Sequence, residues 1–559
     1  MALGSRATHR GLLVAGLFFL CLVPRAIMAW KLTAVCPDGV FYIRLADAID
    51  RQRFHEAFRV MHFNLYPVIL MLLERGGMPW EVAGKWWGVL LSSATVLPLY
   101  GWMRRMLNER VALAGGLLYA FHADLIRWSP EVIRDPSFWC FFAAALYFSW
   151  RAAAEARWWL FLAAGFALAL AELTRIEGFV LWLPLAAWTL WHGRFERQRR
   201  WRLFAGAVLA AAVYPLLLVL ISDYWIRGYS ALELVRREPL ELAGQWAQAA
   251  LLRRKIELPP NLPLPLSLPR MIEMFVSGLV KGLTPLFALF VVVGFAVRPR
   301  LWRRREHLVL LSTSAAVCLA VWVNLWWTHL TCKRYFFPVV MLLCPLAASG
   351  LLRCSAVAAG FARRCRPGAF WKGKSNVPLS RPTLATGRER VGVRAALSLA
   401  GLLPLVLVIV LNLAIALGTD CRFRTATLEL GRWAQREFGP VPLFYGPNGA
   451  TQVVGYYAHG VCGSFPPGTP DADVLLQVGK LQPDVVLLPA EPKTADHGAA
   501  VFKGVESLGF VAVDRSQFSG GCRKLLVLAR RSPLPSSASS PASYSFGQQP
   551  QRFTAEGAE

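Results

Sequence analysis

Several acids and bases in this chain stand at the ends of long apolar runs, where a charge is costly and so a candidate for chemistry. The first is Asp38, in Cys36-Pro37-Asp38-Gly39-Val40-Phe41-Tyr42, just past the apolar run from Gly11 to Trp30. A carboxylate there can serve as a general base; read as local structure, it caps a helix over Val40 to Asp50. The second group is Phe121-His122-Ala123-Asp124-Leu125-Ile126-Arg127-Trp128-Ser129-Pro130-Glu131-Val132-Ile133-Arg134-Asp135-Pro136. Glu131 and Asp135 are four apart and would share one face of a helix, where a carboxylate can bind a divalent cation or orient a partner group. His122 and Asp124 read as ordinary loop polarity before they read as metal ligands, and Asp135 ahead of Pro136 also suits a helix N-cap. In Leu173-Thr174-Arg175-Ile176-Glu177-Gly178, the pair Arg175 and Glu177 satisfy each other or serve a ligand. The basic run Thr328-His329-Leu330-Thr331-Cys332-Lys333-Arg334-Tyr335 suits a phosphate, which Lys and Arg recognise directly.

The elements that must hold these residues are membrane spans. The chain has 559 residues, 55% hydrophobic and only 17% charged, with mean hydropathy +0.42. About eleven apolar stretches can be counted, at 11–30, 82–103, 111–127, 136–151, 157–173, 178–192, 203–222, 275–297, 307–327, 335–352 and 395–417. The net charge of +27 invites a nucleic-acid partner, but its distribution argues against one. Five Arg lie between Arg194 and Arg202, five between Arg298 and Arg305, and ten Lys or Arg between Arg353 and Arg394. On the span count all three runs fall on one side, the positive-inside pattern, in contact with anionic lipid headgroups. Asp38, the 128–135 loop and Lys333-Arg334 fall on the opposite, extracytoplasmic side, together with long loops at 31–80 and 223–270. The first loop reads as amphipathic helices lying at the interface.

After Gly418 hydropathy drops and short β-rich runs (Val441–Tyr445, Asp484–Leu488, Gly509–Val513, Lys524–Ala529) alternate with helical patterns over Thr425–Phe438 and Asp471–Leu481. The expected organisation is an α-helical polytopic membrane domain over 1–417, a small extracytoplasmic α/β domain over 418–531, and a Ser- and Pro-rich disordered end over 532–559. The eleven Cys show no paired zinc spacing; Cys421, Cys462 and Cys522 share the C-terminal region, where one disulfide is an open alternative to three buried thiols.

Taken in order, five motifs resemble one family. They are Asp38 beyond the first span, Asn64-Leu65-Tyr66-Pro67, Ser129-Pro130-Glu131-Val132-Ile133-Arg134-Asp135-Pro136, Leu173-Thr174-Arg175-Ile176-Glu177-Gly178 and Lys333-Arg334-Tyr335-Phe336-Phe337-Pro338. The set is similar to the GT-C membrane glycosyltransferases, in the branch of protein O-mannosyltransferases and the bacterial aminoarabinose transferase, over roughly residues 10–350. The resemblance implies a polyprenyl-phosphate sugar donor, a lipid, glycan or protein acceptor, and action at the outer face of a bacterial inner membrane. It makes Asp38 the catalytic carboxylate, with Asp135 preferred to Glu131 as the second acid. Lys333 and Arg334, with Arg175 as a lesser choice, neutralise the donor phosphate; metal dependence is left open. One departure is plain: protein mannosyltransferases carry an Asp-Glu pair in the first loop, whereas Gly39 follows Asp38 here. The rival readings are a transporter or flippase, which would place charges and Gly/Pro breaks at mid-membrane, and a surface-polysaccharide polymerase or ligase.

Overall fold

The computed structural model describes residues 2–60, 63–193, 197–224, 268–297, 305–328, 332–364, 399–419, 421–439, 441–465, 471–489, 495–514, 518 and 525–530. Most of the loop at 223–270, much of the three basic runs, His329 to Thr331, Cys522 and the 532–559 end lie outside these residues.

The chain opens with α1, Ala2–Lys31, whose apolar stretch Gly11–Lys31 is long enough to cross a bilayer. Three short helices follow, α2 (Pro37–Asp50), α3 (Phe54–Val60) and α4 (Leu65–Arg75), in the loop read from sequence as interfacial helices. Each well-defined start has a local cause. Cys36 caps α2 by accepting a hydrogen bond from the Gly39 N–H at 3.3 Å, and Pro37 brings a preset φ to the first position. Asn64 caps α4 through its Oδ1, which accepts from the Tyr66 N–H at 2.9 Å.

The stretch at 82–103 is two helices, α5 (Trp80–Ala94) and α6 (Val96–Met106), which break at Thr95. Ser93 and Thr95 donate to the carbonyls four residues back, and Ser92 to one three back, which competes with the helical ladder. Then come α7 (Glu109–Ala120), the short α8 (Ala123–Trp128), α9 (Asp135–Glu155) and α10 (Trp158–Thr174). A 3-10 turn at Ile176–Leu181 leads into Trp182–Gly193, and the long helix Arg197–Tyr224 packs back on α10.

Among the described residues four helices are long and apolar enough to cross a membrane alone. A fifth crossing results if Leu268–Leu283 and Pro285–Ala296, bent by 90°, are one broken span. Further apolar helices, such as Trp158–Thr174 and Leu402–Leu417, are shorter. The chain is an integral membrane protein: its large apolar faces, among them Leu403, Val410, Leu183 and Val292, are exposed and need lipid to cover them. Inside the bundle small residues let helices touch. A Cβ on Gly294 or Gly350 would run into the backbone of Leu346 or Phe290, so Pro285–Val297 and Phe337–Arg364 meet backbone to backbone.

Beyond the last apolar helix, Arg422–Phe438 opens a small α/β unit with a five-stranded sheet in the order β2-β1-β3-β5-β4. The strands are β1 (Leu443–Pro447), β2 (Val461–Phe465), β3 (Val485–Pro489), β4 (Phe510–Ala512) and β5 (Leu525–Arg530). β1 pairs parallel with β2 and β3, while β5 runs antiparallel to β3 and β4. Four of the strands overlap runs read from sequence; β2 and the helices Asn448–Tyr457 and Ala495–Ser507 had no such reading. Cys421 and Cys462 are free thiols.

Candidate functional site

The motifs that are scattered in sequence meet at one end of the bundle. Asp38 lies in the first turn of α2, not at its cap, since the Cys36 sulfur already fills that role. Its carboxylate is therefore free to face inward, and Oδ2 lies 2.5 Å from Nη2 of Arg334. The Arg334 guanidinium stacks over the Trp128 ring at 5.4 Å and near the Tyr335 ring at 5.8 Å. Its Nε is buried and makes no hydrogen bond among the described residues.

A second ion cluster also lies beside Tyr335. Arg175, itself buried, pairs with Asp135 and with Glu177, the latter at 2.5 Å, and its guanidinium sits 4.9 Å from the Tyr335 ring centre. Asp135, Arg175, Glu177, Arg334, Tyr335 and Phe138 line one cleft. Two guanidiniums thus stand by a single tyrosine, Arg175 paired with Asp135 and Glu177 and Arg334 paired with Asp38. Tyr42 packs beneath, edge-on to Tyr66 at 5.3 Å, and burial pushes its phenol up to about 12.

The elements that hold these residues are locked to one another. Asn64 caps α4 and also donates through Nδ2 to the Thr174 carbonyl at 2.8 Å, which fastens the Asn64-Leu65-Tyr66-Pro67 motif to the residue before Arg175. The 129–134 segment is a turn, not a helix, so Glu131 and Asp135 do not share a face as their spacing predicted. Close packing explains the turn. Gly84 and Gly88 of α5 leave room for Val132 and the Ser129 carbonyl, and a Cβ on Gly39 would come within 3.0 Å of the Val132 Cβ. That contact accounts for the glycine after Asp38, because the place of a longer side chain is taken by the turn that leads to Asp135.

Arg25, in α1, was not singled out by the sequence. It is fully buried and donates to Ser129 Oγ (3.1 Å), to the Cys21 and Ala120 carbonyls (both 2.9 Å) and to the Tyr119 carbonyl (3.3 Å). It thereby ties the end of α7 to the start of the turn. An arginine within an apolar run is the signal that could have found it.

Other candidates go elsewhere. Lys333 pairs with Asp124 at 2.8 Å and not with Asp38. His122 packs edge-on against Phe287 and Phe337, so it and Asp124 do not make a ligand pair. Glu131 pairs at 2.6 Å with Arg424, from the first helix after the last apolar run. Nothing in the sequence reading raised Arg424, although it carries the same signal as Lys333-Arg334, a base at the acid-bearing end. Among the described residues no group of three or more His, Cys, Asp or Glu is placed to hold a metal ion.

Residues 76–219 match the family model described as dolichyl-phosphate-mannose-protein mannosyltransferase. The segment takes in α5 to α10, with the turn, Asp135, Arg175 and Glu177. Over this segment the chain is similar to that family. Its fold is that of ArnT from Cupriavidus metallidurans, both bound to undecaprenyl phosphate (TM-score 0.53, 16% identity, 93% of this chain and 98% of that one) and in the apo state (TM-score 0.54, 15% identity, 94% and 98%). At such identity the likeness is one of fold. No curated protein matches the chain by sequence.

Proposed function

We propose that this chain is a glycosyltransferase that moves a sugar from a polyprenyl-phosphate-linked donor to an acceptor on the extracytoplasmic face of the membrane. The observation that carries the reading is Arg334, with one Nη on Asp38 at 2.5 Å and a buried Nε left unspent. A guanidinium in that condition suits an incoming phosphate, which is recognised through two parallel N–H donors. When the phosphate takes Arg334, Asp38 is released from the pair and becomes available as a base. An acceptor hydroxyl then gives its proton to Asp38 and its oxygen attacks the anomeric carbon. The bond from that carbon to the phosphate oxygen breaks, and the lipid phosphate leaves with the electron pair. The leaving group is already a stable anion, so Arg334 and Arg175 need only stabilise its charge. Asp135 and Glu177 hold Arg175 in place for that task.

The fold neighbour bound to undecaprenyl phosphate and the family description naming a dolichyl-phosphate sugar support this donor class. The charges gather at one end of the bundle, where a lipid-linked donor can enter from the side, and this arrangement favours transfer over transport.

The test is to reconstitute the purified protein with a radiolabelled polyprenyl-phosphate sugar pool and membrane acceptors. The expected result is covalently labelled acceptor with matching release of polyprenyl phosphate. Label that crosses the bilayer still attached to its lipid, with no acceptor labelled, would mean a flippase and end the proposal.

A further inference from the structure

We infer that the C-terminal α/β unit completes the reaction site, with Arg424 as a positioning residue that acts through Glu131. The inference rests on the proposed transfer reaction and concerns how its site is held.

Glu131 is the second residue after Ser129 in the turn that ends at Asp135, and its side chain is only 4% exposed. A carboxylate at that depth needs a counter-charge. Arg424 supplies it at 2.6 Å, and the other carboxylate oxygen, Oε2, is buried with no hydrogen bond among the described residues. Burial works against charge on Arg424, but the Glu131 carboxylate together with its other neighbours holds the guanidinium above its usual range. The neighbouring Lys85 and Glu81 make hydrogen bonds elsewhere. Lys85 spends its ammonium on the Leu32 carbonyl at 2.9 Å, and Glu81 accepts from the Tyr457 hydroxyl at 3.2 Å.

Three further contacts hold the α/β unit and the link that leads into it at the same place. The Thr33 and Thr425 hydroxyls meet at 3.0 Å, the Val35 N–H donates to the Tyr457 hydroxyl at 3.1 Å, and Lys31 donates to the Thr419 carbonyl at 2.9 Å. All three fall on the strap at 31–35, which leads directly into the Cys36 cap and Asp38. The Cys36 thiol is pushed up by burial and then by the Glu131 and Asp38 carboxylates, so it feels both acids. The α/β unit therefore grips both segments that carry acids, the strap before Asp38 and the turn before Asp135. Its loss of grip would move both carboxylates relative to Arg334 and Arg175.

The experiment compares the full-length protein with Arg424→Met, Arg424→Lys, Glu131→Gln and the double variant Glu131→Gln/Arg424→Met, in each case measuring kcat and the donor KM. Arg424→Met should lower kcat at least tenfold with donor KM within about twofold, a split a direct phosphate contact would not give. Arg424→Lys should recover most of the loss. The double variant should be no worse than Arg424→Met alone, since it removes the acid left unpaired, and it keeps the test alive if Arg424→Met does not fold. In parallel, a Thr33→Cys/Thr425→Cys pair should form a disulfide readily in the parent and at least tenfold more slowly with Arg424→Met. This readout needs no transfer activity, so it reports on docking even if the donor class is mistaken. Wild-type kcat for Arg424→Met, a loss in donor KM alone, losses that multiply in the double variant, or cross-linking unaffected by Arg424→Met would each overturn the inference.

Discussion

Asp38→Asn should separate chemistry from donor binding. The amide keeps the size of the side chain and its place in the first turn of α2, yet cannot take a proton. Loss of a general base typically lowers turnover by about 10²–10⁴-fold. The same change removes the charge that competes with the donor for Arg334. That pair is mostly buried, with 23% exposure on the Asp38 side chain and 11% on Arg334. Two unit charges about 4 Å apart attract by about 4 kcal/mol at an effective dielectric constant of about 20. Desolvation cancels much of that, leaving about 1–2 kcal/mol net. At about 1.4 kcal/mol per factor of ten, the donor should bind about five- to thirtyfold tighter to the variant. The assay is initial-rate transfer from purified polyprenyl-phosphate sugar at equal amounts of folded protein, over a range of donor concentrations. The expected outcome is a kcat lowered at least a hundredfold with a lower donor KM. A kcat within tenfold of wild type would remove Asp38 as the base. A donor KM that rises would mean that Asp38 helps to hold the donor instead of competing with its phosphate.

Asp135→Asn leaves Arg175 with Glu177 as its remaining carboxylate, so kcat should fall about tenfold or more while the fold persists; wild-type kinetics would mean the Asp135 pair is structural only. Asn64→Ala removes both the α4 cap and the bond to the Thr174 carbonyl, and should destabilise the protein by about 2–3 kcal/mol in denaturant or thermal unfolding; a change under about 0.5 kcal/mol would show that the two motifs are not fastened there. Gly39→Glu, which writes the Asp-Glu pair of the protein mannosyltransferases into this chain, should lower folded yield in detergent, because its Cβ already meets Val132 at 3.0 Å; normal yield with full activity would show that the turn yields easily.

The candidate site motifs were legible because a membrane chain has few reasons to keep charge near its apolar runs. Asp38, Asp135, Arg175 and Arg334 stood out on that ground, and the structure brings all four to one cleft and its rim. Helix starts were less legible. Cys36, not Asp38, caps α2, since a sulfur that accepts from a backbone N–H is rarely read as a cap. The 82–103 run gave one span on hydropathy, but hydroxyls that bond back to the helix divide it at Thr95.

Partners are what spacing could not supply. The i to i+4 rule set Glu131 and Asp135 on one face, yet it holds only within a helix, and the packing of Gly39, Gly84 and Gly88 against Ser129 and Val132 makes that segment a turn. By itself, then, the sequence determined the membrane environment, the α/β character of the C-terminal segment and the residue types at the site, all of which follow from local composition. Which acid meets which base was decided only by the tertiary structure. Asp38 meets Arg334, Asp135 meets Arg175, Lys333 is spent on Asp124, and Glu131 is held by Arg424 from the far end of the chain. The physical reason is that ion pairing depends on distance in space, and only the packed bundle brings those residues within reach of each other.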